Sequence, residues 1–382
     1  MNQIIKVLKG KFPALLFFSF LLSGCIDPVT PKFDFQEGLI YIEGLVSTSP
    51  GTSFVSVYES ATEFGVYQNN FLEGASVSFR NTETDVLVDL IEQEGEYIPP
   101  VAFAASEGES WELEVRLSDG RQYQSLSEKI AAPVAISNIT ATYDPALFFS
   151  EAENDFVPGH SVAVSFDDPP NEVNYYYWRF RSYEPITNCA ICYEGTYYRD
   201  GACRAASGYT LAPYFTYLCG PDCWRIRYSE NVQIFTDDFV NGTSVNKLSV
   251  ANVPLYTKEN IAVEIQQFSL SASAHKYLKA LKDILDNNGG FNAPPPAALI
   301  GNMFNPNDSS EHVLGRFTAA AASTVSVFIN RSNIEEEQLE NENLILHDEG
   351  GIGVDTPSPD TLSIPCEESR YRTGQRPQEW VD

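Results

Sequence analysis

Apolar and polar residues alternate with period two along much of this chain. Trp111, Leu113, Val115 and Leu117 alternate with Glu112, Glu114 and Arg116. This is the pattern of a strand with one wet and one buried face. Gly74-Ala-Ser-Val-Ser-Phe79 alternates in the same way, and Asp119-Gly120 lies between two such runs as a hairpin turn. Residues 38–135 thus read as short strands sufficient to close a small β-sandwich. Further on, Val162, Val164 and Phe166 share one strand face, as do Val325, Val327 and Ile329. The period changes once, to helical spacing, at Leu278, Leu281 and Leu285. This predicts a helix from about Ser271 to Asn288, ended by Gly289-Gly290. Residues 136–330 are therefore expected to form a larger β-rich domain with one packed helix. Residues 331–365 are acidic and poor in apolar positions, which reads as a solvated linker. The tail to residue 382 regains Cys366 and Trp380, as if fastened back onto the body.

The start of the chain has a different pattern. Lys6, Lys9 and Lys11 precede an apolar run, Phe12 to Leu22, too short to span a bilayer comfortably. Leu22-Ser23-Gly24-Cys25 closes it. This arrangement resembles a bacterial lipoprotein signal, which implies cleavage after residue 24 and acylation (palmitate) of Cys25. Residues 25–37 contain two prolines and no periodicity. They read as an extended tether reaching up to ~40 Å at ~3.1 Å per residue.

Charge narrows the partners. The chain has 24 basic and 52 acidic residues, a formal −28. Without the signal it has 21 basic against 52 acidic, or −31. Nucleic acid and anionic headgroups repel such a body, so membrane attachment is expected through the acyl chains on Cys25.

Besides Cys25 there are six cysteines: Cys189, Cys192, Cys203, Cys219, Cys223 and Cys366. Cys189-x-x-Cys192 and Cys219-x-x-x-Cys223 have spacings that zinc sites use. In an exported chain cysteines oxidise, which favours three disulfides, with fifteen possible connectivities, over metal. The loop 189–223 is rich in Gly and Tyr, a stapled element suited to contacting a partner or simply a structural insertion.

Tyr175-Tyr176-Tyr177-Trp178-Arg179-Phe180 is the densest aromatic cluster. Alternation favours Tyr176, Trp178 and Phe180 as core. It leaves Tyr175 and Tyr177, with Tyr197 and Tyr198 of the loop, as possible binding aromatics. Asp167-Asp168, Asp237-Asp238 and Glu335-Glu336-Glu337 have no calcium-loop spacing and read as solvated acidic faces. His160, His275, His312 and His347 are scattered, with His275 expected at the surface. No nucleophile, base and orienter assemble in sequence, so no catalytic residue, metal or cofactor is expected. Asp360-Thr361-Leu362 is similar to an O-glycosylation pattern, making Thr361 a possible acceptor.

A wider resemblance covers nearly all of the chain after Cys25. It rests on Ile42-Glu43-Gly44-Leu45-Val46, Gly74-Ala75, Gly95-Glu96-Tyr97, and the Asp119-Gly120 turn with Tyr123 and Ser125. Further along it rests on Gln267-Phe268-Ser269-Leu270-Ser271 with Tyr277, Gly301-Asn302, and Val313-Leu314-Gly315-Arg316-Phe317. It ends on Cys366, Gly374, Pro377 and Trp380. In this order they resemble a Bacteroidota outer-membrane lipoprotein family, domain of unknown function 4249. Ser369 stands where members often carry a second cysteine, so Cys366 must pair elsewhere or stay free. The resemblance implies a mainly β chain, with an N-terminal immunoglobulin-like sandwich akin to the regulatory domain of carboxypeptidases. It also implies an outer-membrane address beside TonB-dependent receptors, and it carries no known catalytic residues.

The leading expectation is a non-catalytic accessory or binding lipoprotein working with an outer-membrane β-barrel receptor. Alternatives are a structural subunit of a secretion or assembly complex and, behind it, a surface hydrolase. Ile26 and Asp27 do not decide between surface and periplasmic display.

Overall fold

A computed structural model describes residues 37–150, 154–193, 196–205, 214–220, 222–229, 231–286, 299–339 and 363–381. Cys25, most of the tether and Thr361 lie outside these residues, as does the side chain of Tyr197. The fold is mainly β with one helix among the described residues.

A twisted central sheet of eleven strands organises the unit Gly38–Asp382. Its middle runs Trp224–Tyr228, Tyr175–Pro185, Ile261–Ser269, Phe317–Ile329, Ile40–Ser47 and Phe54–Glu63. These pairings are antiparallel except that Ile40–Ser47 runs parallel to Phe317–Ile329. Strand Phe317–Ile329 is long enough to join segments of distant sequence. Its first part pairs with Ile40–Ser47 and most of its length with Ile261–Ser269. Residues 38–135 and 136–330 thus share one sheet, although each keeps its own apolar cluster.

Period two explains both clusters. Ile40, Ile42, Val55 and Val57, with Phe317 and Ala319, meet a second sheet carrying Val77, Phe79, Leu113, Val115 and Tyr123. Further along the central sheet, Tyr176, Trp178, Val263 and Ile265 meet a three-stranded sheet through Val162, Val164 and Phe166. The Asp119-Gly120 turn forms as expected between Ser110–Arg116 and Gln122–Ser125, with Gly120 at φ 95°.

The helix, Ala272–Asp286, covers one end of the opposite face. Ser271 caps it, its Oγ accepting the amide of Ala274 at 3.2 Å. The buried positions are Ala274 and Tyr277, with Leu278 packed beside them. The leucine stripe is therefore shifted: Leu285, expected inward, is exposed. His275 is also a correction. It is half-buried, because its ring stacks on Tyr175 at 4.7 Å, and burial lowers its pKa.

The six cysteines after Cys25 all form disulfides: Cys189–Cys219, Cys192–Cys203 and Cys223–Cys366. Neither close-spaced pair bonds to itself. Cys189, Cys192 and Cys223 instead bury themselves with Tyr217 and Ile364 as a small core. Cys189, Cys219 and Cys223 are grouped closely enough to suggest a metal site, but disulfide sulfurs offer no thiolate ligand. The tail is fastened, as Cys366 and Trp380 suggested. Trp380 packs edge-on against Trp224 and Phe328.

Candidate functional site

The central sheet's second face is not fully covered. Beyond the helix it carries a cavity of about 220 Å³. Strand parity dictates what enters it. In Tyr175–Pro185 the even residues face the core, so Arg179 and Arg181 project the other way. Neighbouring strands contribute Gln266, Ile226 and Tyr228 from the same face, because Arg181 pairs with Tyr228 and Tyr183 with Ile226. Phe54 and Glu96 enter from the N-terminal segment, and Ile98, Pro99, Pro100 and Val101 form the apolar wall. The tail closes the site with Ser369 and Arg370.

Three guanidiniums therefore converge in a strongly acidic chain, and their states differ. Arg181 sets its fork on Glu264 at 2.9 and 3.1 Å. Arg370 pairs with Glu96 at 2.7 Å, and its backbone amide donates to Glu94 at 2.7 Å. Arg179 lies over the Phe54 ring, 4.7 Å from its centroid. Among the described residues its guanidinium has no hydrogen bond and no ion pair. Burial raises the pKa of Glu96, opposed by the charges of Arg370 and Arg179.

A wider depression of about 500 Å³ lies around the strand Trp224–Tyr228, sharing Ile226, Tyr228 and Arg370. Its own arginines are engaged. Arg227 pairs with Glu184 at 2.8 Å and covers the Tyr256 ring, and Arg225 also has a partner. Of these two cavities, the first presents a guanidinium with unused donors.

The aromatic residues singled out in sequence sit beside this site. Tyr176 and Trp178 are core, as alternation indicated. Tyr175 stacks on His275 and Tyr177 on Phe268, both under the helix, and burial pushes the Tyr177 phenol up to about 12. The cavity begins one alternate position further along, at Arg179. Tyr198 belongs to the stapled loop, where its hydroxyl donates to Glu367 and its amide to the Tyr217 hydroxyl. Two of the acidic pairs have structural duties. Asp168 accepts from the Tyr176 hydroxyl and the Gly242 amide, and Asp237 accepts from Asn241.

A family profile matches residues 26–326, which takes in nearly all of both apolar clusters and most of the cavity. The chain belongs to the family described as domain of unknown function (DUF4249). No curated protein matches it.

Several of the residues that carry the DUF4249 resemblance meet around Glu128, apart from the cavity. Glu128 is buried and pairs with buried Arg316. It also accepts from Ser271 at 2.8 Å and Ser273 at 3.2 Å. Asn302 exchanges two hydrogen bonds of 2.9 Å with the backbone of Phe317. Gly301 and Gly315 allow this knot to close: a Cβ on Gly301 would run into the Gly315 carbonyl oxygen. The knot ties the helix start to the N-terminal sandwich and the shared strand.

Proposed function

We propose that this protein is a lipid-anchored, non-catalytic binding module of the outer membrane. In this reading, acylated Cys25 holds it to the bilayer, residues 25–37 form the tether, and the body serves a TonB-dependent β-barrel receptor. The observation that supports a binding role best is the cavity at Arg179, Arg181 and Arg370. It is concave, has an apolar wall, and carries a few placed polar groups on strands of a disulfide-fastened sheet, which is the usual make-up of a small-ligand site. Among the described residues its lining includes neither histidine nor cysteine.

The test is extraction of the native lipidated protein from membranes in gentle detergent, followed by identification of what accompanies it. The expected result is a β-barrel receptor recovered with the wild-type chain, and release of the lipoprotein itself from the membrane-bound pool with Cys25→Ser. Recovery of the lipoprotein alone, with the intact receptor present in the same extract, would overturn the reading. Loss of many outer-membrane proteins on deletion would point to an assembly subunit instead.

A further inference from the structure

We infer that the cavity takes a monocarboxylate carried on a compact apolar body, with Arg179 as the group that receives the carboxylate. This deepens the binding-module reading and rests on it.

The inference starts from unequal use of the three arginines. Arg181 is paired with Glu264 and Arg370 with Glu96, while Arg179 makes no side-chain hydrogen bond or ion pair among the described residues. A guanidinium holds five N–H donors in a rigid fork that matches a carboxylate. The contact with Phe54 restrains where the Arg179 guanidinium sits before any ligand arrives, so less freedom remains to be lost on binding. One part of the wall, Ile98, Pro99, Pro100, Val101 and Ile226, suits carbon and not charge, and the remainder adds neutral polar groups such as Ser53, Gln93 and Gln266.

Size and charge set the ligand class. The cavity, about 220 Å³, is larger than the engineered cavity of about 150 Å³ that holds benzene. One ring or branched chain fits with its carboxylate. Glu96 and Glu264 stand beside the other two arginines, with Glu43 close enough to act on Glu96. A dianionic phosphate would face these carboxylates, whereas a monoanion needs only the fork that is free.

The same chemistry is offered by a free small acid or by the last residue of a peptide. The experiment separates them. The full-length chain in detergent is titrated calorimetrically with 3-phenylpropionate, with N-acetyl-phenylalanine, and with the amide of each. Saturable binding of at least one acid is expected. Its amide should bind about tenfold to a hundredfold more weakly, since a charge-assisted fork is lost. Preference for N-acetyl-phenylalanine marks a peptide end, and preference for 3-phenylpropionate marks a free acid. Arg179→Met keeps the stem on Phe54 and should weaken the acid by the same factor with an unchanged melting midpoint. Equal affinity for acid and amide overturns the inference without any variant. So does the absence of saturable binding up to about 10 mM of either acid. Receptor capture without acid binding would remove the ligand class alone; acid binding without receptor capture would remove the uptake role alone.

Discussion

Replacing Cys223 and Cys366 together with alanine removes the one covalent link between the tail and the sheet edge. The link spans 143 residues, against 30 for Cys189–Cys219 and 11 for Cys192–Cys203. Chain-entropy scaling gives about 5 kcal/mol for the first, with about 3.7 and 2.8 kcal/mol for the others. The unit it closes, Gly38–Asp382, has 345 residues. At roughly 2.1 cal/mol/K per residue its unfolding entropy is about 0.7 kcal/mol/K, so 5 kcal/mol corresponds to a fall of about 7 °C in melting midpoint. The loss should also be local. Ser369 and Arg370 line the cavity only a few residues after Cys366, and without the link they are held by Arg370–Glu96 at 2.7 Å and Arg372 to the Cys189 carbonyl at 2.8 Å. The assay is a thermal melt paired with limited proteolysis. The variant should melt about 7 °C lower and be cut first in the tail that follows Cys366, before the body is degraded. The Cys192/Cys203 alanine pair should lower the midpoint by about half as much and leave that segment protected. A midpoint within about 1 °C of wild type, with no faster tail cleavage, would show that noncovalent contacts alone hold the tail and would refute this reasoning.

Other perturbations test the scaffold. Arg316→Met strands buried Glu128 and should cost about 3–5 kcal/mol by urea unfolding; adding Glu128→Gln should restore part of it, and simple additivity would show that the two do not act as a pair. Gly315→Ala drives a methyl into the Ile42 carbonyl oxygen at φ 92° and should cost about 2–4 kcal/mol, checked by melting; a neutral effect would contradict the tight approach. His160 is buried beside Arg331, and its pKa is lowered by burial to about 4 from 6.5. The unfolded chain therefore takes up the proton first as pH falls, so stability present above pH 6.5 is lost down to pH 4, by up to about 3 kcal/mol. His160→Gln should lack that part of the slope, and equal wild-type and variant slopes from about pH 7 to 5 would refute it.

What the sequence showed was local. Trp111, Leu113 and Val115 reveal their buried face because a strand turns over every residue, and the Asp119-Gly120 turn is a two-residue signal. The helix was legible in place, but its inward face was not. Ala274 and Tyr277 are buried by what they pack against, while Leu285 is left exposed near the helix end. The cavity was hidden for a different reason. Arg179 and Arg370 are far apart in sequence and meet only through strand pairing and the Cys223–Cys366 link. The same alternation that assigned Tyr176 and Trp178 to the core did place Arg179 on the free face, which was the one local clue. Cysteine pairing was beyond reach, since six cysteines allow fifteen connectivities and spacing alone does not choose among them, whereas the actual partners are set by how distant segments meet.

Scaffold and recognition rest on largely separate residues in this chain. Ser271, Gly301, Asn302, Gly315 and Arg316 carry the family resemblance, and they all meet in the Glu128 knot, where buried donors and acceptors satisfy one another. Such a network fixes which strand lies beside which, because a wrong register would leave buried charges unpaired. Arg179, Arg181, Tyr228 and Arg370 carry none of that resemblance, yet they line the cavity. Glu96 belongs to both sets: it sits in the Gly95-Glu96-Tyr97 marker and anchors Arg370. The shared residue is therefore the one that seats the tail against the sheet through Arg370, whereas Arg179 is free to differ on a frame that does not depend on it. Exchanging Arg179 should accordingly redirect binding while leaving the fold intact, whereas exchanging Arg316 should lower the stability of the whole fold.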